Sequence, residues 1–366
     1  MTEDTLRRKV ISIWKAGKLG YGGVALPPFQ LKRRVAPPDP ALPFPRGLKF
    51  ETSVAPEPAM VRFQDCRLLP DGSVVTDEHY IFQGLTFVPR PANWRIFAPF
   101  VQDARGDEVT LKLPPRTVER RVAGYQLVTG HGGNYGHFFL DVLGRLYLST
   151  LLPAEMAGEL RFICRPPSSP MQAYLLDALV GADRIVFQAH EAIRIDSCLV
   201  SALPCGPTGV LVEAMAYLQD LLRERVCPPA PSRPRRRIFI SRADGKQTWR
   251  RDVVNSAELD GLLDEFGFER LVLSDLAPRA QIEVFQDAEC LMGVHGSGLL
   301  NLLFCGPRTK IIELHVPFPS PTPPWIARVG NLLGRPHYVL PLVKRGKQTF
   351  ADIDALRSSM KLVFAP

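Results

Sequence analysis

Hydrophobic and polar positions follow two different patterns along this chain. From residue 123 onward, short apolar runs typical of buried strands alternate with longer segments whose apolar positions recur at helical spacing. Residues 50–120 instead show short strand-like runs around a Pro-Asp-Gly turn. Alternating strands and helices predict a parallel sheet covered by helices, with crossovers of one hand. We therefore predict an α/β protein with a β- and loop-rich N-terminal region.

Individual elements can be predicted on both sides of a Pro- and Arg-rich connector at residues 227–237. Before it, we predict the strands YQLVTG, LRFICR and RIVFQ, and the helices YGHFFLDVLGRLYLSTLL, SPMQAYLLDALVG and TGVLVEAMAYLQDLLRERV. After it, we predict the strands IFIS, RLVLS, CLMGV and TKIIELH, and the helices SAELDGLLDEF, PRAQIEVFQDA and GLLNLLF. Asn255 and Glu258 have the spacing of a capping box, and Gly267 is placed to end the helix that follows them.

These patterns predict two domains with additional segments at both ends. The predicted divisions are a Pro-rich N-terminal arm (1–60), an N-terminal domain (61–226), the linker (227–237), a C-terminal domain (238–345) and a tail (346–366). Two α/β domains joined by a linker predict a cleft between them. Ligands of open parallel sheets bind outside the carboxyl ends of the strands, so the loops after those strands are the candidate sites.

Composition and charge narrow the class of protein. The chain has 366 residues with 46% hydrophobic and 22% charged residues, which is typical of a soluble globular protein. Its formal net charge of +8 favours anionic partners. No motif typical of a nucleic-acid-binding protein accompanies that charge, so we predict no nucleic-acid partner.

The cysteines and the N-terminus bear on the compartment. The seven cysteines include no CxxC pair, which predicts reduced thiols in a cytoplasmic protein. No stretch has the length and apolar character of a membrane span, and the N-terminus does not resemble a signal peptide. Residues 5–16 are compatible with a short basic amphipathic helix, either solvated or in contact with the inner face of the plasma membrane.

The segment HGSG (295–298) joins a predicted strand to a predicted helix. Free backbone N–H groups and the helix dipole favour anions at such a point, and Gly296 and Gly298 allow a ligand to approach the backbone closely. Pyrophosphate would suit the site. The spacing matches neither the P-loop nor GxGxxG, so a plain tight corner with a hydrogen-bonded His295 is the alternative.

Charged residues follow the neighbouring predicted strands. Arg242 comes directly after IFIS, Arg250 and Arg251 follow shortly, and Glu313 lies near the end of TKIIELH. Arginines at this edge of the sheet could bind a diphosphate, and the carboxylate could accept hydrogen bonds from ribose hydroxyls. Solvated arginines and a surface salt bridge are the alternatives.

A second polar group occurs in the N-terminal half. His137, Asp141 and Arg145 recur at intervals of four residues, so they lie along one face of the predicted helix. A carboxylate beside an imidazole could deprotonate a hydroxyl. The alternative is an ordinary helix start with polar residues and one ion pair.

Three segments together resemble glycosyltransferase family 61. They are NYGHFFLDVLGRL, IFISRADGKQTWRRDVVNSAEL and GVHGSGLLNLLFCGPRTKIIEL. The resemblance covers roughly residues 60–340 and is strongest in 238–315, where the order and spacing of the motifs agree. The small residue after Gly296 is commonly Ala in the family and is Ser297 here, and Gly144 stands where a proline is often found.

The resemblance implies a GT-B fold, in which two Rossmann-like domains face each other across a cleft and the C-terminal one holds a nucleotide sugar. It also implies inversion at the anomeric carbon with no required metal or other cofactor. A uridine diphosphate sugar is the expected donor. The residues implied for binding it are Arg242, Arg251, His295, Gly296, Ser297, Gly298, Asn301 and Glu313.

Asn134, His137, Asp141 and Arg145 are implied to face the acceptor. We expect Asp141 or His137 to act as the base, with Asp141 slightly favoured, and Arg242 to stabilise the departing diphosphate. Asp352 and Asp354 form a DxD pair by letter only.

We expect a glycan or glycolipid acceptor and a role in surface or capsular polysaccharide synthesis. Three alternatives compete with this interpretation. A Rossmann oxidoreductase is opposed by the lack of GxGxxG. A nucleotide-sugar-binding or scaffold protein with decayed transferase activity is opposed by the intact His137/Asp141 pair. A polyanion-binding module is suggested only by the basic charge.

Overall fold

The computed structural model describes most of the chain. The described residues are 5–34, 41–43, 52–55, 57–82, 99–129, 132–157, 160–206, 209–229, 231–242, 253–316 and 325–365. The strands are β1 Thr5–Ser12, β2 Lys32–Arg34, β3 Thr52–Val54, β4 Met60–Leu68, β5 Val74–Val75, β6 His79–Phe82, β7 Val101–Arg105, β8 Glu108–Lys112, β9 Thr117–Gln126, β10 Arg161–Cys164, β11 Ile185–Phe187, β12 Ala192–Ser201, β13 Cys205–Gly206, β14 Gly209–Val210, β15 Arg236–Ser241, β16 Phe268–Val272, β17 Ala288–Val294, β18 Lys310–His315, β19 His337–Pro341, β20 Val343–Arg345 and β21 Gln348–Phe350.

Helices occur in both α and non-α forms. The longer α-helices are α1 Ile13–Lys18, α2 Pro170–Val180, α3 Val212–Arg225, α4 Ser256–Glu265, α5 Pro278–Gln286, α6 Trp325–Leu332 and α7 Ile353–Val363. Short helical segments are Tyr135–His137, Leu146–Ser149 and Ala154–Ala157 (α), Phe138–Val142 (π), and Ala182–Arg184, Leu143–Arg145, Leu273–Asp275 and Ser297–Leu303 (3₁₀). In the part of the chain that the structure describes, no helix has both the length and the apolar character needed to cross a bilayer.

The chain divides into two compact units, each assembled from separate stretches of sequence. Unit 1 comprises residues 1–31, 55–206 and 213–218, and unit 2 comprises 32–54, 207–212 and 219–366. The sequence predicted the domain boundary at 227–237. In the structure, the boundary between the two units lies earlier, within helix α3. The Pro-rich segment is also shared, since its first part belongs to unit 1 and its second part to unit 2.

Unit 1 is built around a ten-stranded mixed sheet in the order β11-β10-β9-β12-β4-β5-β6-β1-β8-β7. At one side β9 pairs in parallel with both β10 and β12, and β10 pairs in parallel with β11. The order of this parallel part is therefore 3-2-1-4 in chain order, as in half of a Rossmann fold. The rest is antiparallel except for the parallel pair of β1 with β6.

The prediction of a helix over residues 5–16 is wrong for most of that segment. Thr5–Ser12 is strand β1, which pairs with β6 on one side and β8 on the other, and the helix begins only at Ile13. Ile11 and Ile13 are buried in the core of unit 1. Tertiary pairing on both edges thus overrides the local helical pattern, and a membrane-surface helix at 5–12 is excluded.

Unit 2 is a parallel five-stranded sheet in the order β16-β15-β17-β18-β19. In chain order this is 2-1-3-4-5, one of the two common orders of doubly wound α/β proteins. The predicted strands at β15–β18 and the predicted helices at α4 and α5 are confirmed within a few residues. Gly267 follows α4 with φ of 69°, a left-handed conformation that ends the helix without strain only in glycine.

Two details of unit 2 differ from the sequence prediction. Asn255 does not cap α4 with its side chain; its amide binds the backbone of Ala351 through both Oδ1 and Nδ2. Residues beyond 345 also belong to the unit, because Leu356, Met360 and Val363 of α7 are buried in its core. Asp352 accepts a hydrogen bond from the backbone N–H of Ala355 and caps α7, so it has a structural role.

Candidate active site

The predicted donor-binding residues of unit 2 lie where its strand order reverses. The chain leaves β15 to form β16 on one side and later returns to form β17 on the other. Doubly wound sheets bind ligands at the carboxyl ends of the two strands that flank this switch point. Arg242 follows β15 directly, and the His295–Gly298 segment follows β17 directly.

The register shows that these two segments are close together. Ile240 of β15 pairs with Gly293 of β17, two residues before Arg242 and His295 respectively. A Cβ atom added to Gly298 would lie 3.3 Å from Cγ2 of Ile240, so the loop after β17 lies against the end of β15. Arg242 is partly buried, and its Nε has no hydrogen-bond partner among the described residues. A buried donor of this kind favours an anionic ligand at the site.

The segment after β17 is tighter than the predicted α-helix. Ser297–Leu303 is a seven-residue 3₁₀ helix with Gly296 at its start and no side-chain cap. Asn301 is fully buried, and its Nδ2 donates a hydrogen bond of 2.7 Å to the carbonyl of Gly298. Asn301 therefore stabilises the shape of this turn from within.

Glu313 lies at the centre of a buried cluster of histidines. Its Oε1 is 2.5 Å from Nδ1 of His295, and its Oε2 is 3.2 Å from Nε2 of His337. The Glu313 side chain is 0% exposed. Burial raises its pKa, but the charges and hydrogen bonds of His295 and His337 outweigh burial and hold the pKa below its usual value. Here Glu313 binds two imidazoles instead of facing outward for a ribose.

His295, Glu313 and His315 are also close enough to be considered as metal ligands. Each offers one ligand atom within 4.8 Å of the others, the only such group of histidine, cysteine and acidic residues in the described ranges. Two ligands of one zinc ion at about 2.0–2.2 Å in tetrahedral geometry lie about 3.3–3.5 Å apart. Nδ1 of His295 and Oε1 of Glu313 are 2.5 Å apart, which is closer than that and corresponds to a short hydrogen bond between the two side chains.

The polar residues of unit 1 also lie at a strand-order reversal. β9 is flanked by β10 and β12, and the segment after β9 leads to Asn134 and the helical run that follows. Oδ1 of Asn134 accepts hydrogen bonds from the backbone N–H groups of Gly136 and His137. Asn134 is thus the N-cap that begins the helical run.

The helical run is interrupted at Asp141. Phe138–Val142 forms one turn of π-helix, in which the N–H of Leu143 bonds to the carbonyl of Phe138. Insertions of this type occur frequently at functional sites because they redirect the side chains of a helix. Asp141 is buried within this turn.

His137 and Asp141 form a close pair with unequal exposure. Nδ1 of His137 is 2.6 Å from Oδ2 of Asp141, and the side chains are 45% and 6% exposed, respectively. An ionised carboxylate can only accept, so Nδ1 carries the hydrogen and the neutral ring has its lone pair on Nε2. The arrangement suits a histidine base oriented by a buried aspartate, which differs from the slight preference for Asp141 as the base.

Arg145 lies inside unit 1. It is fully buried, and it donates to the backbone carbonyls of Asp141, Gln126 and Val128 at 2.6, 3.0 and 3.2 Å. Burial lowers the pKa of the guanidinium. Arg145 therefore connects the end of β9 to the π-turn and is not exposed to an acceptor.

A small pocket opens beside the π-turn at the carboxyl ends of β9 and β10. Its lining includes Thr129, Phe138, Val142, Arg165 and Gln172. The Oγ1 of Thr129 is buried and has no hydrogen-bond partner among the described residues. The pocket has room for about one water-sized group, such as a single ligand hydroxyl, which could bond to that oxygen.

One predicted pair of residues and one residue that the sequence reasoning missed remain to be placed. Arg250 and Arg251 lie outside the described residues. Sequence reasoning also missed His337, the first residue of β19, because no strand was predicted there. The signal that could have identified it is the apolar HYVL run after Gly-Arg-Pro.

Comparisons with known proteins agree with the predicted class. Residues 135–312 match the family model described as Glycosyltransferase 61. Among curated proteins, none matches the chain.

Solved structures similar to this chain include two of one bacterial protein. One is the iron-containing dodecameric glycosyltransferase TibC from enterotoxigenic E. coli H10407, with 11% identity, a TM-score of 0.30, and coverage of 70% of this chain and 75% of that chain. The other is dodecameric iron-containing heptosyltransferase TibC in complex with ADP-D-beta-D-heptose, with 10% identity, a TM-score of 0.31, and coverage of 82% and 90%.

Proposed function

We propose that this chain, which matches the family model of glycosyltransferase family 61 over residues 135–312, is an inverting, metal-independent enzyme that moves a sugar from a nucleotide sugar to a hydroxyl acceptor. The first candidate donor is a uridine diphosphate sugar. The acceptor is a glycan or glycolipid, and the role is in surface or capsular polysaccharide synthesis. A GT-B arrangement of two Rossmann-like domains is part of this proposal.

The observation that carries the proposal is the position of Arg242 and the His295–Gly298 turn. They follow the two strands that flank the switch point of unit 2, where doubly wound sheets bind ligands. A guanidinium beside backbone N–H groups provides donors for the oxygens of a diphosphate. As the diphosphate leaves, its negative charge increases, and fixed donors lower the energy of that transition state.

The acceptor hydroxyl requires a base, and His137 is our choice. Its imidazole is half-exposed, whereas the carboxylate of Asp141 is buried behind it. With its Nδ1–H held by Asp141, the ring accepts the hydroxyl proton at Nε2 while the oxygen attacks the anomeric carbon. The carbon–diphosphate bond breaks on the opposite face, which inverts the configuration. The small pocket at Thr129 is a candidate for one hydroxyl group of the acceptor.

Arg242→Ala tests the donor site. A thermal-shift screen of the full chain against UDP, GDP, CDP, ADP and dTDP and their sugars first identifies the nucleotide, since a ligand well above its Kd raises the Tm. We expect Arg242→Ala to lower kcat/KM, by an amount that corresponds to a loss of about 2–4 kcal/mol in transition-state stabilisation. Arg279→Ala is the matched control, because that arginine is exposed on α5 and pairs only with Glu283 among the described residues.

Two outcomes would oppose the proposal. Equal effects of the two arginine substitutions would make Arg242 an ordinary surface residue. Complete loss of transfer in EDTA, restored by a divalent metal, would show that the reaction requires a metal and would overturn the metal-independent mechanism.

A further inference from the structure

The small pocket of unit 1, at the carboxyl ends of β9 and β10, has few polar groups in its lining. The residues with polar or titratable side chains are Thr129, Cys164, Arg165 and Gln172. The other described residues of the lining are apolar or glycine, and none of them is acidic. The bonding of these four side chains therefore determines what the pocket can bind.

Thr129 directs an unsatisfied hydroxyl group to this pocket. The residue is 4% exposed, and its buried Oγ1 forms no hydrogen bond with the described residues. Gly132 keeps the neighbouring space open, because a Cβ atom there would lie 3.5 Å from this oxygen and 3.4 Å from Cγ2 of Val142. A buried hydroxyl without a partner is costly, so a ligand group that bonds to it gains affinity.

Gln172 and Cys164 are not available in the same way. Oε1 of Gln172 accepts hydrogen bonds from the backbone N–H and the hydroxyl of Ser168 at 2.7 and 2.8 Å, and its Nε2 donates to the carbonyl of Gly133 at 3.4 Å. Burial raises the pKa of the Cys164 thiol to about 12, so this group is neutral and only a weak donor. Thr129 and Arg165 are therefore the groups that can recognise a ligand.

Arg165 adds a positive charge to the lining of the pocket. It follows β10 directly and is partly buried, and it forms no hydrogen bond or ion pair within the part of the chain that the structure describes. Helix α2 begins at Pro170, so its positive N-terminal end lies close to Arg165 in the chain. A guanidinium in these surroundings favours a carboxylate, which it can bind with two parallel hydrogen bonds.

We propose that the acceptor is an acidic saccharide, with one ring hydroxyl bonded to Thr129 and its carboxylate paired with Arg165. A hexuronic acid has these two groups on adjacent ring carbons, which suits two side chains that line one small pocket. No bond is made or broken in this recognition. The inference rests on the proposed function, which makes the ligand of this pocket the acceptor, and it adds the chemical class of that acceptor.

Methyl β-D-glucuronide and methyl β-D-glucoside are the probes that isolate the carboxylate, because they share every ring hydroxyl and differ only at C6. NMR of the full-length protein with labelled valine methyl groups can follow Val142, which lines the pocket. A Val142→Ile spectrum assigns its signals. We expect both sugars to shift these signals saturably, and the glucuronide to bind about tenfold more tightly.

Substitutions of the two recognising residues should have different effects. Arg165→Gln should lower the affinity for the glucuronide to that for the glucoside and leave the glucoside unchanged. Thr129→Val keeps the shape of the side chain and should weaken both sugars by a similar factor. Its Tm should not fall, because the hydroxyl that it removes has no partner among the described residues. Arg121→Gln replaces an exposed arginine of β9 and should affect neither sugar.

The outcomes separate this inference from the proposed function. Binding of neither sugar, equal affinities in the wild type, or a preference that survives Arg165→Gln would each overturn the inference. Transfer to the glucoside as readily as to the glucuronide would also overturn it, while the transferase function would stand. If the glucuronide binds as expected but no nucleoside diphosphate or nucleotide sugar raises the Tm, the acidic-sugar site stands and the proposed donor site fails.

Discussion

At the scale of single residues, the pKa values of two carboxylates are shifted in opposite directions by their different partners. Glu313 has two imidazole partners, and they hold its pKa below the usual value. Asp71, in the turn between β4 and β5, has no cationic partner among the described residues. Burial raises its pKa from 3.8 to about 6, although hydrogen bonds from Ser73 and Tyr80 partly oppose the shift. Glu313 therefore favours folding when ionised, and Asp71 favours folding when protonated.

Asp71→Asn should stabilise the protein at neutral pH. Because the folded-state pKa is raised, the stability that Asp71 contributes is present below about pH 4 and is lost as the pH rises through about 6. We expect the asparagine variant to be more stable by about 1–3 kcal/mol at pH 7 and similar to wild type below about pH 4. Urea unfolding at both pH values measures this, with the exposed Asp196→Asn as control. Equal destabilisation at both pH values would contradict it.

His137 and Asp141 give the second prediction at this scale. His137→Ala should lower kcat by roughly a hundred-fold or more while nucleotide binding stays unchanged. Asp141→Asn should also lower kcat, since an amide can donate to Nδ1 and move the ring proton to Nε2. His190→Ala replaces an exposed histidine of the same unit and should have no effect. Near-normal turnover in His137→Ala, with loss in Asp141→Asn, would make Asp141 the base.

At the scale of elements, α7 shows how a segment assigned to a tail becomes part of a core. Leu356 and Met360 are 2% and 0% exposed, whereas Leu362 on the same helix is 52% exposed. The buried side chains of α7 share the core of unit 2 with side chains of strands β15, β17 and β18. The apolar spacing of α7 is visible in the sequence, but its burial depends on the surface that the sheet provides.

Met360→Ala and Leu362→Ala form a matched test of that burial. We expect Met360→Ala to destabilise the protein by about 2–5 kcal/mol, because it removes buried apolar contacts and leaves a cavity. Leu362→Ala should change stability by less than about 0.5 kcal/mol. Chemical denaturation of both variants gives the comparison. Similar effects would mean that α7 is not an integral part of the core.

The elements also show what local sequence can and cannot predict. Strands β15, β17 and β18 and helices α4 and α5 were predictable, because each has its own apolar periodicity and end signals. Strand β12 was not identified, and its antiparallel partner β4 lies more than a hundred residues earlier in the chain. Local patterns carry no information on such pairing. The links between His295, Glu313 and His337 were hidden for the same reason, since they depend on the order of strands in the sheet.

At the scale of the whole molecule, the residues that we propose to bind the donor belong to one unit. Arg242, His295 and Glu313 all lie within residues 219–366. We expect a fragment of these residues to bind the nucleoside diphosphate that the full chain binds, with a lower Tm because it lacks β2 and β3. Calorimetric titration measures binding, and a fragment of residues 55–206 is the control. If only the control fragment binds the nucleoside diphosphate, the donor site lies in unit 1 and its assignment to unit 2 is wrong.

The discontinuous composition of unit 2 has a consequence for folding during synthesis. Residues 32–54 belong to unit 2, but the stretch that begins at residue 219 and supplies its sheet follows much later. At about 5–20 residues per second, roughly ten to thirty seconds separate the two during translation. Strands β2 and β3 are therefore synthesised long before most of unit 2. They lack most of their native contacts while the ribosome synthesises the greater part of unit 1. Folding of unit 2 cannot proceed strictly from the N-terminus, and its early segment is the part most exposed to chaperones or to mispairing on the ribosome.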